Sequence, residues 1–329
     1  MLSVAMVLAG LLLVFLLGPR VVLDAAEPQV AVPRPQQIAE LADWVAQREG
    51  RVAALVEGAE ARIQWADAAA PAPTALVFLY IHGYSATWRE TAPVTERLAR
   101  HFGANAFQMR LAGHGSGAAG LESHSASDWL YSVREAWEIA AQLGDRVIIV
   151  ATSTGAPLAV WLSQLPAVDQ RLHALLFMSP NFRVRNAMTR VLTWPWSRYW
   201  LTWVAGERHS WEPMNAEQAR YWTTQSSIWP LQQMQAVVDW FQRQDLSRQR
   251  TPLALMYMRN DDVISPPAAV AGFEAWGAEQ KTLIPVELDG DKVEHVFAGD
   301  ITAPHRVAWT VAQFIGFLEE LNAPSASKR

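Results

Sequence analysis

The chain lacks cysteine entirely over its 329 residues. Disulfides, thiolate metal sites and cysteine nucleophiles are therefore excluded, while the redox compartment stays open because disulfide-free proteins occur in every compartment. Charged residues are also scarce, at 18%, and the net charge of -5 at pH 7 provides no basic field for a phosphate backbone. Nucleic acid is accordingly not an expected partner.

Hydrophobic residues make up 51% of the chain, which excludes a disordered protein and allows a sizeable core. The length suits one catalytic domain with an inserted subdomain.

The first charged side chain is that of Arg20, so the chain begins with an uncharged apolar run. This run predicts a membrane-directed segment over residues 1–23, either an uncleaved transmembrane helix or a cleavable signal peptide. The absence of a basic n-region and of a small-residue cleavage site favours the uncleaved anchor. We therefore expect a membrane partner for the N-terminal segment and a periplasmic or otherwise extracytoplasmic catalytic domain. The flanking charges specify that orientation only weakly.

Segments of six or seven residues, most of them apolar throughout or nearly so, recur along the rest of the chain and predict strands. They lie at 76–81, 105–110, 146–151, 174–179, 253–258 and 282–288. Because helical segments separate most of them, we predict an α/β fold, with a mostly parallel central sheet and helices on both faces. One helix is expected at 38–56 and another at 128–143, the latter capped by Ser127 or Asp128.

Two segments fall outside this alternation. Residues 24–35 contain three prolines and predict a linker. Residues before about 36 should therefore lie outside the hydrophobic core. The predicted α/β domain comprises residues 36–181 and 251–322. Residues 182–250 hold eight of the 16 tryptophans and predict an inserted helical lid. These are Trp194, Trp196, Trp200, Trp203, Trp211, Trp222, Trp229 and Trp240.

A candidate nucleophile follows the apolar run at 146–151. The segment ATSTG places Ser153 between this run and an apolar helix, with Ala151 two residues before it and Gly155 two residues after. A serine hydroxyl must be exposed on a sharp turn and aligned with a base, and small residues at those two positions permit such a turn. Ala151 stands where glycine is usual and adds one methyl group.

Later runs carry the partners that such a serine needs. Asp261 and Asp262 follow the run at 253–258, and Asp261 is the preferred acid because an aliphatic pair comes after it. His295, beyond the last predicted strand, is the candidate general base. His114, in a glycine-rich turn, is expected to have a structural role.

These motifs resemble the α/β-hydrolase superfamily, in particular its monoacylglycerol lipase and lysophospholipase-like branch. The resemblance covers about residues 61–321, and the order serine, acid, histidine is that of this superfamily. The segments that carry it are YIHGYSAT, RLAGHG, ATSTGAPLA, NDDVISPP and EHVFAGD.

The resemblance implies ester hydrolysis through an acyl-serine intermediate, without a cofactor or metal. The backbone N–H groups of Tyr84 and Thr154 are then the expected oxyanion hole, with Gly83 and Gly155 in support. The His82 side chain fits either proton transfer or support of its loop.

The substrate class stays open. The tryptophan-rich lid and the apolar N-terminus favour a lipid-like ester of the monoacylglycerol or lysophospholipid type. The alternatives are a prolyl-aminopeptidase-like peptidase, with an acidic lid residue among Glu207, Glu212 and Glu217, and a noncatalytic binding protein.

Overall fold

The computed structural model describes residues 2–287 and 294–323. The strands are β1 Arg62–Gln64, β2 Thr74–Ile81, β3 Asn105–Gln108, β4 Gly144–Thr152, β5 Leu172–Met178, β6 Arg208–Ser210, β7 Gln225–Ser227, β8 Leu253–Met258 and β9 Lys281–Val286. The α-helices are α1 Leu2–Leu16, α2 Glu40–Glu49, α3 Val94–His101, α4 Gly117–Glu122, α5 Ala126–Leu143, α6 Gly155–Ser163, α7 Pro166–Asp169, α8 Ser197–Ala205, α9 Ala216–Tyr221, α10 Ile228–Phe241, α11 Pro266–Ala275 and α12 Val307–Asn322. Short 3₁₀ helices cover Trp88–Glu90, Ala187–Thr193, Leu246–Arg248 and Pro304–Arg306.

The six predicted strands form one sheet together with β1, in the order β1-β3-β2-β4-β5-β8-β9. Each neighbouring pair is parallel except β1 with β3, which is antiparallel. Helices α5 and α6 pack on one face, and α3 and α12 pack on the other. The predicted α/β architecture, with a mostly parallel sheet between two helical layers, is therefore confirmed.

Two predicted helices have different ends in the structure. Helix α5 begins earlier than expected because its N-cap is Ser125, whose side chain and Asp128 form a reciprocal capping box. The N-cap prediction of Ser127 or Asp128 was therefore wrong, although Asp128 belongs to the cap. Helix α2 ends at Glu49, and Gly50 follows as its C-cap, so the predicted helix at 38–56 is shorter.

The region between β5 and β8 is not purely helical. Besides α8, α9 and α10 it contains a two-stranded antiparallel ribbon of β6 and β7. The polar residues of this ribbon carry little apolar periodicity, which explains why the composition predicted only helices. Of the eight lid tryptophans, only Trp222 and Trp240 are buried, whereas Trp203 is 90% exposed.

The N-terminal apolar segment forms α1, which ends before Gly18 and Pro19. Proline lacks a backbone N–H and disfavours helical geometry at the preceding residue, so the helix covers 15 residues rather than the predicted span of 1–23. No helix within the described ranges is long and apolar enough to cross a bilayer. The predicted transmembrane helix is therefore not found.

Residues 24–35 pack on the body of the protein. Leu23, just before them, is buried in the core cluster that includes α5 and α6. The carbonyl oxygen of Ala25 accepts the Trp161 indole N–H at 3.0 Å, and Glu27 pairs with Arg134 at 2.8 Å. The expectation that residues before about 36 lie outside the core was wrong, because a proline-rich segment can also lie extended along a helical layer.

Candidate active site

Ser153 lies at the sharp turn between β4 and α6, with a φ of 50°. A positive φ is strained for a side chain such as serine and is typical of a nucleophile turn. Gly155 is required there because a Cβ at this position would collide with the carbonyl oxygens of Ile81 and His82. Ala151 lies inside β4 and its methyl group is buried in the core, so the departure from glycine is accommodated.

The structure brings Ser153, His295 and Asp261 into one hydrogen-bonded chain. The Nε2 atom of His295 lies 2.9 Å from Ser153 Oγ, and its Nδ1 atom lies 2.8 Å from Asp261 Oδ2. With the proton on Nδ1, the ring donates to Asp261 and accepts the serine O–H through Nε2. This is the geometry that general-base activation of a serine requires.

Asp261, not Asp262, is the acid in contact with His295. Its second oxygen, Oδ1, accepts the backbone N–H groups of Val263 at 2.9 Å and Ile264 at 3.0 Å. Burial opposes ionisation of Asp261, but the His295 ring and these two N–H groups hold its pKa below the ordinary value. The side chain of Asp262 is exposed instead.

Neighbouring carboxylates favour the protonated form of His295. Burial disfavours its charged form, but Asp261, then Glu90 and then Asp262, raise its pKa above the ordinary value. The preceding residue, Glu294, forms a buried ion pair with Arg306. Arg306 also donates to the Glu287 carbonyl at 3.3 Å, so one side chain joins the end of β9 to the histidine segment.

The predicted oxyanion groups lie on two loops that meet at Ser153. Thr154 follows the serine as the N-cap of α6. On the other loop, the Cα of Gly83 lies so close to the nucleophile that an added Cβ would be 3.1 Å from Ser153 Cβ. The backbone N–H of Tyr84, one residue later, belongs to the same loop, so the two predicted donors lie on converging segments.

His82 supports this loop. Its Nε2 accepts the Leu111 N–H at 3.0 Å, and its Nδ1 bonds the Gly83 carbonyl at 2.9 Å. Burial lowers the pKa of His82 to about 4, so the ring is neutral near pH 7. His114 packs edge-on against His82 and is also buried, in agreement with its predicted structural role.

The segment 182–250 is bonded directly to the loop that carries Gly83 and Tyr84. The Thr223 N–H donates to the Ser85 carbonyl at 2.8 Å. The Ser226 side chain lies near the Tyr84 phenol and acts to lower its pKa, although burial raises that pKa overall. Nearby, Trp222 packs against Ala86. The segment that joins α9 to β7 therefore shares its position with the loop that faces Ser153.

One residue near the nucleophile had no signal in the sequence. Glu90 lies in the 3₁₀ turn Trp88–Glu90, only 1% exposed, and its Oε1 accepts the Gly83 N–H at 2.6 Å. A single glutamate after a tryptophan and an arginine is typical of a solvated turn, so composition and spacing did not single it out. Among residues 2–287 and 294–323, no group of three or more histidine or acidic side chains is arranged to hold a metal ion.

Residues 71–287 match the protein family described as "Serine aminopeptidase, S33". The chain belongs to this family and is a hydrolase of the α/β-hydrolase superfamily, which confirms the predicted superfamily. No curated protein sequence matches the chain.

Solved structures share its fold at low sequence identity. The structure described for the metagenome-derived lipolytic enzymes LipS and LipT has a TM-score of 0.64 at 17% identity, covering 81% of this chain and 99% of that one. The monoacylglycerol lipase of Paleococcus ferrophilus has a TM-score of 0.58 at 13% identity, with 79% and 98% covered. A soluble variant of monoglyceride lipase from Saccharomyces cerevisiae, in complex with a substrate analogue, has a TM-score of 0.57 at 12% identity. The match covers 80% of this chain and 91% of that one. At these identities the likenesses show a shared fold.

Proposed function

We propose that this hydrolase cleaves carboxylic esters through an acyl-serine intermediate. The observation that carries the proposal is the continuous chain of hydrogen bonds from Ser153 to His295 to Asp261, at 2.9 and 2.8 Å. Ser153 Oγ attacks the ester carbonyl while His295 Nε2 takes its proton, and Asp261 stabilises the resulting imidazolium.

The remaining steps use the same groups. The negative charge on the former carbonyl oxygen is received by the N–H groups of Tyr84 and Thr154. When the C–O bond to the leaving alcohol breaks, His295 returns the proton to that alcohol. A water molecule then attacks the acyl-serine, His295 takes a proton from it, and the carboxylic acid leaves as Ser153 regains its hydrogen.

We propose a lipid-like ester, of the monoacylglycerol or lysophospholipid type, as the substrate class. The support is the large apolar surface of the lid, on which Tyr199, Trp203 and Val204 are 61%, 90% and 77% exposed. The lipolytic enzymes that share the fold favour the same class. An apolar surface of this kind lowers the free energy of an acyl chain or a lipid surface beside it.

Hydrolysis of a p-nitrophenyl ester series from acetate to palmitate tests both statements. We expect turnover that rises with acyl length, and a loss of at least about 10³-fold in kcat for Ser153→Ala. Ser179→Ala is the matched control, since Ser179 occupies the corresponding position after β5 and its buried hydroxyl has no partner within the described residues. Activity that survives Ser153→Ala would overturn the nucleophile, and a preference for acetate would overturn the lipid-like class.

A peptidase is the second candidate, favoured by the description of the matched family. In this case an acidic lid residue would hold the substrate's amino group, and Glu207, Glu212 and Glu217 are all exposed. Cleavage of proline p-nitroanilide without cleavage of the esters would establish it. No labelling of the folded protein by a fluorophosphonate would instead favour a noncatalytic binding protein.

We also propose that the N-terminal segment attaches the protein to a membrane, with the catalytic domain on the extracytoplasmic side. The support is α1, whose apolar side chains, such as Leu8, Leu12 and Leu16, are more than half exposed. The lid lies beside it, since the Trp196 indole donates to the Val14 carbonyl at 3.1 Å. We expect a much larger fraction of the full chain than of a chain lacking residues 1–18 to float with lipid vesicles. A reporter fused to the C-terminus that is active in the cytoplasm would overturn the orientation.

A further inference from the structure

Glu90 is a buried acid beside the nucleophile, and the reaction described above does not use it. Its Oε1 accepts two hydrogen bonds, from the Gly83 N–H at 2.6 Å and from the Tyr80 phenol at 2.7 Å. The phenol oxygen of Tyr80 also lies 3.0 Å from Thr152 Oγ1, one residue before Ser153. This network therefore joins β2, β4 and the oxyanion loop beneath the serine.

The second oxygen of Glu90 faces the reacting groups. A Cβ added to Gly83 would lie 3.1 Å from Glu90 Oε2 and also 3.1 Å from Ser153 Cβ, so the glycine is enclosed between the two side chains. A side chain at position 83 would push these neighbours apart by a few tenths of an ångström. The acid and Ser153 therefore lie on two sides of the same glycine.

The segment that carries His295 packs on the same turn. A Cβ on Gly299 would collide with the Glu90 carbonyl oxygen, and the Asp300 N–H donates to the Ala92 carbonyl at 2.8 Å. Within the described residues, the ionisable groups that act on the Glu90 carboxyl are the Tyr80 phenol and the His295 imidazole. No arginine or lysine there neutralises it.

We propose that Glu90 is a positioning residue for serine activation: its carboxylate holds the His82–Gly83 peptide beside Ser153 and places a second negative charge, besides Asp261, near His295. This inference rests on the proposed serine hydrolase function. The hydrogen bond from the Gly83 N–H to Glu90 orients the loop at this point. The next N–H along the chain, that of Tyr84, then faces the developing oxyanion. The negative charge favours the imidazolium that forms when Ser153 attacks.

The electrostatic surroundings define the pH range in which this operates. Burial raises the pKa of Glu90 to about 7, although the bonds from Gly83 and Tyr80 and the His295 charge act in the opposite direction. Glu90 in turn helps raise the pKa of His295. The state with Glu90 ionised and His295 neutral therefore becomes populated only above about pH 7.

The rate of Ser153 labelling by a fluorophosphonate, measured against pH, tests this without knowledge of the substrate. For Glu90→Gln we expect a rate constant about 10-fold lower at pH 8, because the isosteric amide keeps an acceptor but loses the charge. The labelling rate falls at low pH as His295 becomes protonated, and this part of the pH–rate profile is its acid limb. We expect the midpoint of the acid limb to move down by about 0.5 to 1 pH unit, since His295 loses a neighbouring negative charge. Glu96→Gln is the matched control, a buried glutamate paired with Arg62 outside the site, and should leave both values unchanged.

Tyr80→Phe provides an independent variant if Glu90→Gln does not fold. It removes an O–H donor from the ionised carboxylate, which raises the pKa of Glu90, so the acid limb should move to higher pH. These opposite directions separate a charge effect from a general loosening of the loop.

The outcomes are distinct. The role of Glu90 would be overturned if Glu90→Gln had the labelling rate and the pH midpoint of the wild type, or if the pH midpoint of Tyr80→Phe did not shift. As long as the wild type is labelled, either result leaves the serine hydrolase function intact. Failure of the folded wild type to label would overturn the proposed function and this inference with it.

Discussion

Glu90 carries a cost in stability that depends on pH. Its native pKa is about 7, against an ordinary value of 4.5, so the native state binds more protons than the unfolded state between these two values. The free energy of unfolding therefore falls as pH rises from about 4.5 to 7 and stays lower above pH 7, by up to about 3 kcal/mol.

Glu90→Gln should remove this dependence. We expect the stability of the variant relative to wild type to increase between pH 5 and pH 8, even though its labelling rate decreases. Urea unfolding at both pH values measures the change. An equal pH dependence in the two proteins would show that Glu90 has the same pKa folded and unfolded.

Single residues differed in how far the sequence revealed them. Ser153, Asp261 and His295 were predictable because each follows an apolar strand, and the carboxyl ends of parallel strands meet at one edge of the sheet. The preference for Asp261 over Asp262 agrees with the structure, where a turn closed by the Val263 and Ile264 N–H groups directs the first carboxylate inward. Glu90 was not predictable because its importance depends on its burial and on the approach of Ser153 and His295, which lie far from it in the sequence.

At the scale of elements, Leu23 and the segment 24–35 contribute to the free energy of unfolding, because they pack on the body of the protein. Burying a leucine contributes about 1.5 to 3 kcal/mol, and the bonds from Trp161 and Arg134 add to this. We expect deletion of residues 1–35 to lower the free energy of unfolding by about 3 kcal/mol. Deletion of residues 1–18 should leave it within about 1 kcal/mol of the full chain, because it keeps Leu23 and the packed segment.

Denaturant unfolding of the two truncated chains and the full chain checks this expectation. Equal stability of both truncated chains would mean that the packed segment contributes nothing. Leu23→Ala in the full chain isolates the buried side chain from the deleted backbone and should cost about 2 kcal/mol or more.

Elements with strong apolar runs were predictable and elements with weak ones were not. Strand β8 has the predicted bounds, because LALMYM is apolar throughout and turn residues bound it. The ribbon of β6 and β7 and the capping box of Ser125 depend on local hydrogen bonds rather than periodicity. The path of residues 24–35 could not be predicted, since proline content indicates an extended backbone but not the surface on which it lies.

For the whole molecule, the order of strands and helices predicted the layered α/β architecture and the existence of an insertion after β5. The substrate class does not follow at this scale, because one fold accommodates many reactions.

The contacts of Thr223 with Ser85 and of Ser226 with Tyr84 bear on how such a protein can be recombined. The sequence alone suggests that residues 182–250 form a continuous segment that could be exchanged between relatives. These contacts join the segment to residues 84–86, which lie much earlier in the chain. A chimaera that exchanges specificity without loss of turnover must therefore inherit both segments from the same parent, so the unit of exchange is discontinuous in the gene.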